Sequence, residues 1–246
     1  MLPLVITVIW QGGLLFKVLT VLFTVAMAWE WNRMVKGHFG LSGLVITLVG
    51  VCTIFTISYG YTTISLVIII GSSAMIVSFG TEGKWPAAGI LYISLPCIAL
   101  VWLRETDGPE TLLWLFFVVW ITDIVAYGAG RCIGGPRLAP SVSPGKTWAG
   151  AIGGLLAAML VGCVIAVLLD LTVPWILVAA SAGISIVAQL GDLAESKLKR
   201  HFGVKDSGRL IPGHGGVLDR VDGVVAAAPV VAAAVLLVGG GIRLWG

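Results

Sequence analysis

Charged residues are scarce in this sequence: only 11% of its 246 residues are Asp, Glu, Lys or Arg, whereas 58% are hydrophobic. A water-soluble domain of this length needs amphipathic surface helices, which carry far more charge. Strict alternation of apolar and polar residues is also lacking, since runs such as residues 66–70 are wholly apolar, and this argues against a transmembrane β-barrel. The composition therefore predicts an all-α integral membrane protein, because a helix satisfies its backbone hydrogen bonds within one segment.

Cysteine is also scarce. The four cysteines are scattered singly along the chain: Cys52, Cys97, Cys132 and Cys163. This spacing provides neither a disulfide framework nor a cysteine metal site. The net charge of +3 is too small to suggest a nucleic-acid partner. A basic stretch and a small-residue cleavage site, as in a signal peptide, are lacking around residues 2–11.

Nine apolar segments make up most of the sequence. They are predicted at 2–11, 14–35, 41–58, 61–79, 85–104, 110–130, 147–170, 173–198 and 222–244. Residues 2–11 are too short to cross a bilayer alone, so eight to nine transmembrane helices are expected. The loops are short, and we interpret residues 1–246 as a single membrane domain, with N-terminal helices in 1–110 and the chemistry-bearing motifs in 110–246.

Basic residues are distributed unequally between the two sides that alternating spans define. One side receives only Lys17, Arg104 and Arg243. The other receives Arg33, Lys36, Lys84, Arg131, Arg137, Lys146, Lys197, Lys199, Arg200, Lys205, Arg209 and Arg220. By the positive-inside rule the richer side, with the loops 131–146 and 199–221, is predicted to be cytoplasmic.

Carboxylates at membrane depth are costly and usually functional. Asp123 and Asp192 fall in the cytoplasmic halves of their spans, and Asp219 and Asp222 share one face at the start of the last span. Hard oxygen ligands without a His or Cys cluster favour Mg²⁺, which takes the rest of its shell from water and substrate phosphates. Glu30 is a further carboxylate of this kind, to which the sequence assigns no chemistry.

Two simpler interpretations compete with a metal site. The aspartates could pair with Arg220, Lys199 or Arg200 and only hold helices together. Asp222 could equally be a cap at the start of a helix. The concentration of four aspartates on one side, beside a dense basic stretch, favours function.

Residues 196–222, called the polar segment here, interrupt the hydrophobic sequence. Its cations alternate with glycines that allow a ligand to approach the backbone closely: Lys199, Arg200, Lys205 and Arg209, with Gly203, Gly208, Gly213, Gly215 and Gly216. Phosphate is the natural ligand for this combination, although contact with anionic lipid heads would explain the cations equally. His214 lies within the glycines as either a solvated or a functional side chain.

A second candidate anion site lies in residues 141–148, just before a span. Ser143, Lys146 and Thr147 supply hydroxyls and a cation at a helix start. An ordinary Ser-Pro-Gly turn, with Thr147 as a helix cap, is the alternative.

The polar segment resembles the signature of the phosphatidate cytidylyltransferases, or CDP-diacylglycerol synthases. The matching positions are Ser196, Lys199, Arg200, Lys205, Asp206, Gly208, Pro212, His214, Gly215, Gly216, Asp219, Arg220 and Asp222. Two weaker blocks, 123–131 and 143–148, resemble the same family, although Gly145 stands where the family usually has a lysine. The N-terminal part resembles it only in hydropathy and in Glu30-Trp31.

The resemblance implies transfer of a cytidylyl group from CTP or dCTP to phosphatidic acid, with Mg²⁺ and with a second cation left open. It implies an enzyme of a bacterial cytoplasmic membrane whose polar site faces the cytoplasm. Asp192, Asp219 and Asp222 are the expected metal ligands, and Asp123 is a helper or a further ligand. The expected phosphate-binding residues are Ser143, Lys146, Thr147, Ser196, Lys199, Arg200, Lys205, Arg209 and Arg220. His214 is expected to position the loop or donate a hydrogen bond, since an anionic lipid phosphate needs no general base.

Two alternative functions and one question about helix packing remain open at this point. An ion-coupled transporter would place charges near the bilayer midplane on inverted repeats, which the sequence does not display. A related enzyme acting on an ether-linked lipid would share the fold and the motifs. The small residues Gly150, Gly153, Gly154 and Ala157 fit either a homodimer interface or packing within one chain.

Overall fold

The computed structural model describes residues 2–79, 83–208, 210 and 215–245. Within them the chain forms nine α-helices and one small antiparallel sheet. The elements are α1 (Leu2–Gln11), α2 (Gly13–Lys36), α3 (Leu41–Ser58), α4 (Thr62–Phe79), α5 (Trp85–Thr106), α6 (Pro109–Cys132), β1 (Arg137–Ala139), β2 (Ser143–Thr147), α7 (Trp148–Leu168), α8 (Pro174–His201) and α9 (Leu218–Val238), followed by a 3-10 turn (Ile242–Leu244).

Seven helices of the described ranges, α2, α3 and α5 to α9, are long and apolar enough to cross a membrane. Helix α4 is a shorter apolar helix over its described residues. Helix α1 has 10 residues, so it is about 15 Å long and falls short of the roughly 30 Å hydrocarbon core. The predicted all-α polytopic membrane fold is confirmed.

Helix α1 ends at a pair of glycines held against α5. Gly12 and Gly13 have φ of 65° and 57°, a region that other residues rarely adopt. The Arg104 guanidinium donates to Ile9 O at 2.6 Å and to Trp10 O at 2.9 Å. These bonds satisfy carbonyls that the end of α1 leaves without helical partners.

The chain divides into two compact units. The first comprises Met1–Pro109 and His201–Val221, and the second Glu110–Arg200 and Asp222–Gly246. The expectation of one membrane domain over the whole chain stays a prediction.

The first unit is built on α2, α3 and α5, which pack on one another, while α4 packs against α3 and α5. Its interior contains small and polar side chains as well as apolar ones. Thr24 donates to Cys97 Sγ at 3.1 Å, and a Cβ on Gly50 would overlap the Thr24 methyl group. Such small residues allow helices to approach closely where lipid provides no hydrophobic driving force between them.

In the second unit, glycines allow α7 to pack closely against α6. A Cβ on Gly150 would lie 2.6 Å from Ala126 O, and one on Gly154 would lie 2.8 Å from Thr122 O. Packing within one chain therefore accounts for these glycines. Thr122 also donates to Ser185 Oγ of α8 at 3.0 Å, a polar contact between two spans.

Candidate active site

An ion pair joins Lys146 to Asp192 in the second unit. Lys146 lies near the end of β2, and Asp192 lies in the second half of α8. Ser196, one turn later on α8, donates to Asp192 Oδ1 at 3.4 Å. The paired side chains are 27% and 28% exposed, so a ligand from solvent can reach them.

Asp123 of α6 and Asp222 of α9 interact electrostatically with Asp192 of this pair, and we call Asp123, Asp192 and Asp222 the carboxylate cluster. Asp222 is within electrostatic range of both other members, and Asp123 is within range of Asp192 and Lys146. Asp222 Oδ1 also accepts a hydrogen bond from Gly223 N at 2.7 Å. Ionised carboxylates gathered in this way repel one another, and a bound cation would relieve the repulsion.

Two glycines beside these aspartates make the close packing around the cluster possible. A Cβ on Gly191 would overlap the Ala226 methyl group and lie 3.2 Å from Asp222 O. A Cβ on Gly223 would lie 2.9 Å from Val119 Cγ1 of α6. Because Gly191 precedes Asp192 and Gly223 follows Asp222, the same small residues that bring the helices together also place the carboxylates.

A buried ion pair lies one turn further along α8. Glu195 is only 2% exposed, and its Oε1 lies 3.3 Å from Lys199 Nζ. Glu195 is also within electrostatic range of Asp222. Lys199 and Arg200 thus belong to the last turns of α8 rather than to the loop that follows it. The sequence analysis did not single out Glu195, although its spacing of four from Lys199 is a recognisable helical pair.

Asp219, in the first turn of α9, contacts two described residues of the polar segment in the first unit. Its Oδ2 accepts from Ser207 N at 3.0 Å, from Ser207 Oγ at 3.0 Å and from Gly216 N at 2.9 Å. These contacts bring Ser207 and Gly216 to the same carboxylate. The metal-ligand role expected for Asp219 stays a prediction.

Glu30 of α2 binds the same part of the polar segment. Its side chain is fully buried, with Oε1 accepting from Val217 N at 2.8 Å. Oε2 accepts from Leu218 N at 2.9 Å and lies 3.0 Å from Ser207 Oγ, which is also within hydrogen-bond distance of Asp219. The sequence predicted an intramembrane carboxylate at this position, but its hydrogen-bond partners lie 177 to 188 residues further along the chain.

The other predicted site residues have varied settings. Thr147 Oγ1 accepts from Gly150 N at 3.1 Å and so caps α7. Ser143 begins β2, in a β-hairpin that the sequence analysis interpreted only as a loop. The remaining cations among the described positions are exposed at the surface: Arg200, Lys205 and Arg220. Arg209 and His214 lie outside the described residues.

The residues present are compatible with Mg²⁺. Within the described ranges no group of three or more His, Cys, Asp or Glu side chains is placed so that it could hold a metal ion by itself. Mg²⁺ commonly takes only one or two carboxylates and fills its shell with water and substrate phosphates. Asp192 and Asp222 are hard oxygen donors of this kind, so a nucleotide would supply the remaining ligands.

A helical membrane protein with a carboxylate cluster and a partly exposed lysine is compatible with a membrane-bound phosphoryl-group transferase. A family model described as the Cytidylyltransferase family matches residues 1–238. The chain therefore belongs to the cytidylyltransferase family and is a nucleotidyltransferase.

Curated relatives agree with this assignment. The chain is 43% identical over 233 residues to the phosphatidate cytidylyltransferase of Brucella abortus biovar 1, covering 89% of this chain and 83% of the relative. It is 48% identical over 126 residues to the protein of that name from Staphylococcus haemolyticus, covering 51% of this chain and 48% of the relative. The resemblance of the polar segment to this family is thereby confirmed, and nothing favours the transporter or ether-lipid alternatives.

Proposed function

We propose that this protein transfers the cytidylyl group of CTP or dCTP to phosphatidic acid, giving CDP-diacylglycerol and pyrophosphate. The names of its relatives support this substrate pair. The structural observation that supports it most directly is the carboxylate cluster with Lys146 at its edge. We further propose that the cluster faces the cytoplasm, because the basic residues concentrate on that side of the predicted spans.

In the proposed reaction an oxygen of the lipid phosphate attacks the α-phosphorus of the nucleotide. The bond from that phosphorus to the bridging oxygen breaks, and pyrophosphate leaves with the bonding electron pair. Asp192 and Asp222 would hold Mg²⁺, which neutralises charge on the phosphates when bound. The protein mainly has to position two anions in line, and the anionic lipid phosphate needs no general base.

The cations have distinct proposed roles. Lys146 would contact a substrate phosphate as a point charge, next to the metal ligand Asp192. The exposed Arg200, Lys205 and Arg220 would attract the triphosphate from solvent. Lys199, paired with buried Glu195, would hold the end of α8 as well as contribute charge.

The proposed function is tested by incubating the purified protein with phosphatidic acid, CTP labelled on its α-phosphate and Mg²⁺. We expect label in the lipid fraction, loss of labelling with a chelator and recovery with added Mg²⁺. Asp222→Asn should lower turnover by a factor of about 100 or more, because a catalytic metal contributes several kcal/mol of transition-state stabilisation.

Asp170→Asn is the matched control in the same unit. Asp170 lies in a turn with φ of 52°, a conformation that asparagine adopts readily, so this variant should retain wild-type turnover. Folded wild-type protein that leaves the lipid unlabelled would refute the reaction. Full turnover by Asp222→Asn would instead remove Asp222 from the metal site.

A further inference from the structure

Glu30 is a fully buried carboxylate of α2 that contacts both ends of one loop of the polar segment. Its oxygens accept hydrogen bonds from Ser207 at one end and from Val217 and Leu218 at the other. A buried carboxylate is costly unless its lone pairs are satisfied. Here backbone amides supply two of the three donors, so Ser207, Val217 and Leu218 are held against the same carboxylate of α2.

Two glycines of the polar segment owe their place to Glu30. A Cβ on Gly208 would lie 2.5 Å from Glu30 Oε1 and 2.8 Å from Glu30 Cγ, and one on Gly216 would lie 2.6 Å from Glu30 Oε2. Real Cβ atoms do not approach other atoms this closely, so a side chain at either position would displace the carboxylate or the loop. The structure thus gives both glycines a physical reason, close approach of the backbone to Glu30 and, at Gly216, also to Ser207 Oγ, which a Cβ would meet at 2.1 Å.

Ser207 connects Glu30 to Asp219. Its Oγ lies 3.0 Å from Glu30 Oε2 and 3.0 Å from Asp219 Oδ2, and its backbone N also donates to Asp219. A hydroxyl carries one proton, so it donates to one carboxylate at a time. Displacing Glu30 therefore changes the hydrogen bonding available to Asp219.

We propose that Glu30 is a positioning residue for the cytidylyltransferase reaction. It holds Ser207 and the first turn of α9 in the orientation that catalysis requires, and it acts through them rather than by contact with substrate. The inference rests on the proposed function for its catalytic consequence. Its structural part, the anchoring of residues 215–219 by Glu30, is measurable without any turnover.

The first test is Glu30→Gln, which preserves the size of the side chain. One of the two accepting oxygens becomes an NH₂ group, which faces a backbone N–H or the Ser207 hydroxyl instead of accepting from it. We expect amide hydrogen exchange at residues 217 and 218 to speed up at least about tenfold, since those amides lose an acceptor. We expect kcat to fall by about 10- to 100-fold, as for a slightly misplaced active site, with the KM for CTP changed less than threefold.

Glu105→Gln is the matched control in the same unit. Glu105 pairs with Lys17 at the surface and does not contact the polar segment in the described structure. This variant should leave both exchange and kcat at wild-type values. Wild-type exchange at residues 217 and 218 in folded Glu30→Gln would overturn the anchoring, and accelerated exchange with unchanged kcat would overturn the catalytic role.

A double-mutant cycle tests the same contact from the other side. Gly208→Ala should lower kcat about tenfold on its own, because its methyl group meets the carboxylate. In a double variant with Glu30→Ala, which removes the carboxylate, Gly208→Ala should lower kcat no further than Glu30→Ala does alone. If the two losses multiply instead, Glu30 and Gly208 act independently and the proposal is wrong.

Failure of the variants to fold and failure of the proposed reaction have different meanings for this proposal. If both Glu30 variants fail to fold, Gly208→Ala decides alone, since faster exchange at residues 217 and 218 supports the anchoring and wild-type exchange refutes it. If wild-type protein transfers no cytidylyl group, the proposed function fails, whereas the exchange experiment still decides whether Glu30 anchors the segment.

Discussion

Lys146 is a cation at the edge of the carboxylate cluster, and its ammonium group pairs with Asp192. A divalent cation on Asp192 would compete with the lysine for the same carboxylate oxygens. The ammonium group would then be available to a substrate phosphate, with which it forms a charge-assisted hydrogen bond. A single side chain can in this way stabilise the site before the substrates bind and recognise one of them afterwards.

Lys146→Ala should therefore weaken substrate binding more than it slows chemistry. We expect the KM of one substrate to rise by about tenfold, as for one lost hydrogen bond to a charged group, with a smaller fall in kcat. Steady-state kinetics at varied CTP and varied phosphatidic acid measure both parameters. Lys197→Ala, an exposed lysine on α8, serves as the control, and an unchanged KM for both substrates in Lys146→Ala would contradict this placement.

Among the elements, α8 contributes most to the candidate site. It carries Asp192, Ser196 and the buried Glu195–Lys199 pair, and Gly191 sets its contact with α9. The position of Asp192 is thus determined by helix packing, as well as by its own hydrogen bonds. A change in that packing should affect chemistry even when every polar residue is preserved.

Gly191→Ala tests this dependence on helix packing. Its Cβ would overlap the Ala226 methyl group, so we expect α8 and α9 to separate slightly and turnover to fall about tenfold. Gly183→Ala on the same helix meets no atom within 4 Å. Since alanine favours a helix over glycine by up to about 1 kcal/mol, the control should be as stable as wild type or more so. Equal activity and equal melting temperature in the two variants would disprove the packing role.

Local pattern predicted the apolar helices well, although α9 (Leu218–Val238) begins and ends before the predicted segment 222–244, and α1 is too short to span. The Glu195–Lys199 ion pair could also have been predicted, because two residues four apart on a helix lie on the same face. The β-hairpin at 137–147 was missed because its strands are short and its Ser-Pro-Gly sequence resembles a turn. The role of Glu30 was beyond prediction, because it depends on a contact with Val217 at a separation of 187 residues.

At the scale of the whole molecule, the unequal distribution of basic residues predicts the orientation in the membrane. Cys132, exposed at the end of α6, should lie on the cytoplasmic side. In a variant whose other cysteines are alanine, a membrane-impermeant maleimide should label Cys132 only after the cells are permeabilised. Asp107→Cys in place of Cys132 should be labelled in intact cells. Labelling of Cys132 from outside would reverse the proposed orientation.

The length of α8 has a consequence for the lipid substrate. Exposed Trp175 at its start is typical of a membrane interface, and Asp192 lies 17 residues further on, about 26 Å along a helix axis. The hydrocarbon core is about 30 Å thick, so Asp192 falls just inside its opposite boundary, close to the level of the glycerol groups. Withdrawing a lipid from a bilayer costs about 0.8 kcal/mol for every CH₂ group. At this depth both acyl chains can stay dissolved in the bilayer throughout the reaction, and only the headgroup has to move.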